Sequence, residues 1–146
     1  MGLAPNQPIL LVEDSPEDRE VTLRVIKKAG LPNPVFCCED WDKALDFLYH
    51  RGPYADPVKS PRPGVILLDL NMPGTDGREV LSVVKKDPNL KAIPIVVLTT
   101  SSDDRDIDAF FESGAQSYIV KPVDIEGIVR AVQKLETYSR FRFHNP

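Results

Sequence analysis

Four short apolar runs in this chain each end in polar side chains that can do chemistry. In chain order, these polar residues are Glu13 and Asp14, Asp69, Thr99, and Lys121. Crowded carboxylates repel one another, and a bound cation removes that repulsion. Mg²⁺ takes oxygen ligands, usually one or two carboxylates together with phosphate oxygens. If the four runs end at one place, the three carboxylates predict a Mg²⁺ site, and the lack of His and Cys in the set argues against zinc.

Asp69 is the carboxylate with the strongest claim to a chemical role. It stands between Leu68 and Leu70, and a carboxylate can act as a nucleophile that forms an acyl phosphate. Lys121 would then neutralise phosphoryl oxygens, and the Thr99 hydroxyl would donate a hydrogen bond to another. Each residue alone is more often structural, because an Asp after a strand is commonly a turn or cap residue. The combination is more specific, because four separate strand ends carry suitable groups.

The elements that must position these residues are predicted from the apolar pattern. The runs are short and rich in β-branched residues, which is typical of buried strands in a parallel sheet, and a further strand is predicted at 35–38. Five strands alternate with five helices. This predicts an α/β fold, a doubly wound five-stranded parallel sheet with five helices on both faces. The carboxyl ends of parallel strands share one edge, which would bring the polar residues together.

The predicted helices have recognisable ends. Ser15 caps the first helix, Asp18 completes a capping box with it, and Gly30 ends it. Asp76 and Gly77 lead into the third helix, and Pro88 follows its end. The other predicted helices cover 40–50, 103–113, and 124 to about 139.

Length and composition limit the class of protein. The chain has 146 residues, which suits one domain over 1–146 with its core at about 7–138. A net charge of −4 gives no electrostatic case for nucleic-acid binding. No apolar stretch approaches the roughly 20 residues that span a bilayer, and the first residues do not resemble a signal peptide. We therefore expect a cytoplasmic protein that binds neither nucleic acid nor membrane, with Cys37 and Cys38 as reduced thiols.

Two segments depart from the compact pattern. Residues 51–64 contain four prolines and two glycines, which predicts an extended loop. That loop is interpreted either as a tolerated surface insertion or as a contact loop for one partner. Residues 139–146 are expected to form a tail that contains Phe141 and Phe143.

The last two helices carry more apolar residues than one buried face requires. In the fourth helix Phe110 is expected to point inward, and Phe111 outward near Tyr118. The fifth helix has two apolar stripes. The stripe assigned to the core contains Ile125, Ile128, Val129 and Val132, and the stripe assigned to a docking surface contains Ala131, Leu135 and Tyr138. This surface predicts a homodimer, or contact with the kinase, through helix 4, strand 5 and helix 5, unless the tail folds back and covers it.

The strand-end motifs resemble those of a known family. Residues 11–15 (LVEDS), 67–77 (LLDLNMPGTDG), 94–99 (PIVVLT) and 118–122 (YIVKP) are similar to the receiver domain of bacterial two-component response regulators, over roughly 7–138. The resemblance implies the flavodoxin-like strand order 2-1-3-4-5. It also implies that Asp69 accepts a phosphoryl group from a sensor histidine kinase. Such a protein is not an enzyme in the ordinary sense, but a self-phosphorylating phosphoacceptor with slow autodephosphorylation.

The resemblance also assigns roles to the remaining site residues. Thr99 and Lys121 would engage the phosphoryl group, and Tyr118 would be the switch aromatic that moves with Thr99. The Lys121–Pro122 bond is expected to be cis. The implied Mg²⁺ ligands are Asp14 and Asp69 directly, Asn71 through its backbone carbonyl, and Glu13 through water.

A narrower resemblance is to stand-alone receivers that partner phytochrome-like histidine kinases. Output would then be protein–protein contact or onward transfer to a phosphotransfer protein. One alternative is an aspartyl-phosphate phosphatase, which needs a second Asp two residues after the nucleophile, where this chain has Asn71. A nucleotide- or flavin-binding module is disfavoured because no glycine-rich phosphate loop is visible. A degenerate receiver that serves as an interaction scaffold is disfavoured by the intact polar set.

Overall fold

The fold is a five-stranded parallel sheet in the order β2-β1-β3-β4-β5, which confirms the predicted fold class. The computed structural model describes residues 3, 6–72, 74 and 77–144, with side chains described as far as residue 135. The strands are β1 Ile9–Val12, β2 Val35–Cys38, β3 Val65–Asp69, β4 Ile95–Thr99 and β5 Ser117–Val120. The helices are α1 Pro16–Lys28, α2 Trp41–Leu48, α3 Gly77–Lys86, α4 Asp104–Glu112 and α5 Ile125–His144.

Helices cover both faces of the sheet, and each face has its own apolar core. Alternate residues of a strand point to opposite faces, so Leu10 and Val12 lie in one core and Ile9 and Leu11 in the other. One core includes residues of α2, α3 and α4. The other includes residues of α1 and α5. The central strands β1, β3 and β4 are buried along their whole length, which explains their nearly continuous apolar runs.

The helix starts follow from capping side chains. Ser15 caps α1 by accepting a hydrogen bond from the Asp18 amide, and Asp40 caps α2 by accepting one from Lys43. Asp103 caps α4 in the same way. The Ser15 cap was predicted, whereas Asp40 and Asp103 were predicted only as the first residues of their helices. Helix α2 is shorter than the predicted range 40–50 because its last helical residue is Leu48. Gly30 follows α1 with a φ of 81°, a conformation that glycine adopts without strain.

Helix α5 differs from the prediction in which stripe it buries. Ile128, Ala131 and Leu135 are each 3% exposed, at the i, i+3, i+7 spacing of one helix face. Ile125 and Val129 are 44% and 40% exposed. The assignment of Ile125 and Val129 to the core, and of Ala131 and Leu135 to a docking stripe, was therefore wrong. Val132 is half-buried and packs against the core as predicted.

The C-terminal end of α5 also differs from the sequence prediction. The helix continues to His144, whereas the pattern predicted an end near Ser139 and a tail over 139–146. The side chains of Tyr138, Phe141 and Phe143 lie outside the described residues.

The aromatic assignments in α4 and the thiol assignments in β2 are confirmed. Phe110 is 5% exposed, and Phe111 is 40% exposed and makes an edge contact with the Tyr118 ring at a centroid distance of 6.0 Å. Cys38 is buried and Cys37 is exposed, and both are free thiols.

The proline-rich loop is tied to the domain rather than fully extended. It contains a 3₁₀ turn, Gly52–Tyr54, and the Tyr54 ring packs against Phe47 at a centroid distance of 5.3 Å. His50 Nε2 donates to the Ser60 carbonyl at 2.9 Å, and Arg62 donates to the Asn89 carbonyl at 2.7 Å. Within the described residues, no helix is both long and apolar enough to cross a membrane.

Candidate functional site

The register of the sheet brings the predicted polar residues to one edge. Val12 lies beside Leu68, so Glu13 and Asp69 follow on neighbouring strands. The end of β4 lies beside the end of β5, where the Lys121 amide donates to the Thr99 carbonyl at 2.7 Å. The carboxyl ends of β1, β3, β4 and β5 therefore form one site, as expected for ligand binding in an open parallel sheet.

Three carboxylates form an acid cluster, which we define as Glu13, Asp14 and Asp69. One oxygen from each residue lies within 4.8 Å of the other two. Glu13 and Asp69 are buried and Asp14 is exposed, so the cluster is open to solvent on one side. Oxygen ligands at this spacing fit a hard divalent cation. Because ionised carboxylates this close repel one another, a nearby positive charge stabilises the cluster.

Lys121 supplies positive charge beside the cluster. Its ammonium lies 2.7 Å from Glu13 Oε1, 3.0 Å from Asp18 Oδ2 and 3.2 Å from Asp69 Oδ1. The Lys121 side chain is only 12% exposed, so solvent screens these contacts weakly. The three protons of an ammonium can serve all three carboxylates at once. The Lys121–Pro122 peptide bond is cis, as predicted.

Burial dominates the protonation behaviour of Glu13. Loss of hydration is the largest cause that raises the pKa of Glu13, and its hydrogen bond with Asp69 acts in the same direction, while Lys121 lowers it; the net result is a pKa of about 8. For Lys121, burial lowers the pKa, but hydrogen bonds to Glu13 and Asp18 outweigh burial and raise it. Lys121 therefore stays charged at neutral pH. Glu13 binds a proton at neutral pH, and a cation bound to the cluster would displace that proton.

Backbone and side-chain hydrogen bonds fix the loops around Asp69. The Asn71 amide donates to Asp69 Oδ1 at 2.9 Å, and Asn71 Oδ1 accepts from the Thr100 amide at 3.1 Å. The Ser101 amide donates to Thr99 Oγ1 at 3.1 Å. The loop after β3 is thereby tied to the loop after β4. An open cavity of about 200 Å³ between them is lined by Leu70, Asn71, Gly77, Arg78, Thr99, Ser101, Asp106 and Phe110.

Tyr118 lies on β5, three residues before Lys121, and is half-buried. Its ring contacts Phe111 of α4, and the Lys134 ammonium of α5 lies 5.6 Å from the centre of the Phe111 ring. The aromatic pair therefore links the strand that leads into the site to the exposed side of α4 and α5.

Asp18 is the site residue that sequence reasoning missed. Its amide does donate to Ser15 Oγ at 3.2 Å. However, the Ser15 amide donates to Glu13 Oε2 at 3.4 Å, and the Asp18 carboxylate accepts from Lys121. The predicted capping box is therefore only half correct. The available sequence signal was a second acidic residue in the first turn of α1, but that signal also fits ordinary helix capping.

Sheet order, acid cluster and the half-buried Lys121 are together typical of phosphoryl-accepting α/β proteins, and comparison with known proteins identifies the family. The family model described as the response regulator receiver domain matches residues 9–133. The chain therefore belongs to the response regulator receiver family. Members of this family are signalling switches rather than classical enzymes; they bind a divalent metal and accept phosphoryl groups from histidine kinases.

Individual relatives are similar over nearly the whole chain. Response regulator Rcp1 of Synechocystis sp. is 40% identical over 134 residues, which cover 92% of this chain and 89% of Rcp1. The bacteriophytochrome response regulator AtBRR has a TM-score of 0.79 and 41% identity, over 90% of this chain and 93% of AtBRR. The Mn(2+)-bound form of Rcp1 has a TM-score of 0.70 and 40% identity, over 91% of this chain and 94% of Rcp1.

Proposed function

We propose that this chain is a phosphorylation-dependent switch that accepts a phosphoryl group on Asp69 from a sensor histidine kinase. The observation that carries the proposal is the contact of the mostly buried Lys121 side chain with both Asp69 and Glu13 at the edge of the acid cluster. A buried nucleophilic carboxylate beside a fixed cation suits the binding of a phosphoryl group, whose charge needs neutralising.

The proposed reaction is a displacement at phosphorus. A carboxylate oxygen of Asp69 forms a bond to the phosphorus atom as the bond from phosphorus to the histidine nitrogen of the donor breaks. The histidine nitrogen leaves with the electron pair of the broken bond and takes a proton from solvent, so that neutral imidazole is released. Lys121 binds a phosphoryl oxygen. The Thr99 hydroxyl donates a hydrogen bond to a second phosphoryl oxygen, while Thr99 Oγ1 still accepts the hydrogen bond from the Ser101 amide. Water attack on the acyl phosphate later regenerates Asp69 slowly.

The metal of this reaction is proposed to be Mg²⁺. Asp14 and Asp69 would bind it directly, Asn71 through its backbone carbonyl, and Glu13 through water. When bound, it would neutralise charge on the carboxylates and on the phosphoryl group. The all-oxygen cluster supports this assignment. The relative Rcp1 was solved with Mn(2+), another divalent cation that accepts oxygen ligands.

The kinase partner is proposed to be of the phytochrome type. AtBRR is named a bacteriophytochrome response regulator. It is 41% identical to this chain over a match that covers 90% of this chain. The output of such a receiver is proposed to be protein–protein contact. Onward transfer to a phosphotransfer protein is the alternative output.

The proposed output surface consists of α4, β5 and α5. A phosphoryl group that engages Thr99 changes the space beside Tyr118, whose ring contacts Phe111 on the exposed side of α4. A homodimer through this surface would then respond to phosphorylation. Coupling of this kind needs only about 1–3 kcal/mol of differential affinity.

The experiment that tests the proposed function is phosphorylation by a small donor. The protein is incubated with acetyl phosphate and Mg²⁺, and its intact mass is measured over time. Wild type is expected to gain one phosphoryl group, and the gain should disappear in EDTA or in Asp69→Asn. Equal labelling of wild type and Asp69→Asn would sink the proposal.

A further inference from the structure

Asp18 has a position that its helix-capping role does not explain. It lies in the first turn of α1, yet its carboxylate crosses to the end of β5, 103 residues away in sequence, and accepts a hydrogen bond from Lys121 Nζ at 3.0 Å. The carboxylate of its neighbour Glu17 instead accepts a hydrogen bond from Ser15 Oγ at 3.2 Å. The two acidic residues of this turn therefore have different partners.

We propose that Asp18 is a positioning residue for Lys121, which holds the ammonium from the outer side of the site so that it meets the phosphoryl group on Asp69. The inference rests on the proposed function. Of the three carboxylates that hold Lys121 among the described residues, Asp18 is the one outside the acid cluster. The carboxylates of Glu13 and Asp69 would also interact with any cation that the cluster binds. Asp18 lies outside the cluster, so its carboxylate remains available to Lys121.

The position of Asp18 suits this role because α1 fixes its backbone. The Asp18 amide is bound to the Ser15 cap, so its carboxylate projects from a rigid helical turn. The Asp18 side chain is 49% exposed, whereas that of Lys121 is 12% exposed. Both residues line a cleft of about 60 Å³ between α1 and the segment after β5. Asp18 is thus the outermost support of a mostly buried ammonium.

Loss of this support should affect phosphorylation more than folding. A lysine side chain has a flexible stem of four carbons. Without the Asp18 carboxylate as a partner, the Lys121 ammonium would sample rotamers that point away from the site. Positioning errors of about 1 Å can cost on the order of 10²-fold in rate. Because Glu13 still holds Lys121 from the inner side, we expect a smaller loss of about tenfold for Asp18→Asn.

The test compares four proteins: wild type, Asp18→Asn, Asp18→Glu and Glu17→Gln. Asp18→Asn keeps the shape of the side chain but removes its charge, and Asp18→Glu restores the charge. Glu17→Gln removes one unit of charge from the same helical turn, so it controls for net charge and for the helix dipole. The first readout is the phosphorylation rate with acetyl phosphate and Mg²⁺. The second is the nitrogen-15 signal of the Lys121 ammonium with Mg²⁺ and without phosphodonor.

We expect slow phosphorylation and a weakened or broadened ammonium signal in Asp18→Asn alone, with most of the rate recovered in Asp18→Glu. If Asp18→Asn matches Glu17→Gln in both readouts, or reacts faster than wild type, the positioning role is wrong. If wild type itself is not phosphorylated, the proposed function fails and this inference fails with it. The labelling of wild type thus separates the two failures.

Discussion

Glu13 combines complete burial with a carboxylate, and the two properties oppose each other. Its side chain is 0% exposed, while Asp69 and Lys121 pull its proton affinity in opposite directions. A residue in this position can hold a proton at neutral pH or release it to make room for a cation. Its charge state therefore connects pH, metal binding and stability in one side chain.

Stability without metal is predicted to fall as pH rises towards 8. Burial raises the pKa of Glu13 from 4.5 to about 8, so in that interval the folded protein binds a proton that the unfolded chain has lost. This contribution is fully present below about pH 4.5 and disappears as pH passes through the folded pKa. Urea unfolding in EDTA at several pH values measures it.

The matched variant is Glu13→Gln, which cannot titrate. Its urea midpoint in EDTA should depend less on pH than that of wild type. Saturating Mg²⁺ should also flatten the slope in wild type, because the cation replaces the proton. A wild-type slope of the opposite sign over this interval would show that Glu13 is ionised in the metal-free fold.

Most of the candidate site could be predicted from the sequence, because most of its residues are recognisable from their immediate neighbours in the chain. Glu13, Asp69, Thr99 and Lys121 each sit at or next to the end of a recognisable strand, so their convergence follows from the sheet alone. Asp18 could not be predicted in this way. Its partner is 103 residues distant, and its immediate neighbours suggest a cap.

At the scale of elements, α5 shows where an apolar pattern is insufficient. Its sequence offers more than one apolar stripe, and the choice depends on how the helix rotates against α1 and the sheet. The small Ala131 faces the core, where it permits close approach, while the larger Val129 is exposed. Hydrophobicity alone does not decide between the stripes, because each contains large apolar residues. The strand order also required the family resemblance, because apolar runs carry no information on which strands are neighbours.

The corrected orientation of α5 predicts a large difference between two substitutions. Leu135→Ala should lower the free energy of unfolding by about 2–5 kcal/mol, because it leaves a cavity in the α1–α5 core. Val129→Ala should change it by only about 0.5 kcal/mol, since the side chain is already 40% exposed. Urea denaturation of the two variants provides the comparison. Similar losses of unfolding free energy in both variants would mean that Leu135 and Val129 are buried to a similar extent.

At the scale of the whole molecule, the exposed aromatic surface is predicted to control assembly. Phe111 is 40% exposed, contacts Tyr118 and lies near Lys134 of α5. If a homodimer forms through α4, β5 and α5, Phe111→Ala should weaken it, and phosphorylation should change the dimer fraction of wild type. Light scattering with and without acetyl phosphate measures both effects.

Val58→Ala is the control for this surface. Val58 is 85% exposed in the proline-rich loop, so the substitution removes exposed apolar area outside the proposed interface. Its dimer fraction should match that of wild type. Wild type that remains monomeric in both states would exclude the dimer, and an equal effect of both substitutions would indicate nonspecific association.

Chemical localisation of the phosphoryl group shows directly whether Asp69 carries it. The protein is phosphorylated with acetyl phosphate and Mg²⁺, treated with borohydride, which reduces an acyl phosphate of aspartate to homoserine, and then digested and sequenced by mass spectrometry. We predict homoserine at position 69, with unmodified Asp14 and Asp18. Homoserine at another aspartate, or phosphate retained on His50 or His144 with none at Asp69, would show that Asp69 is not the phosphoacceptor.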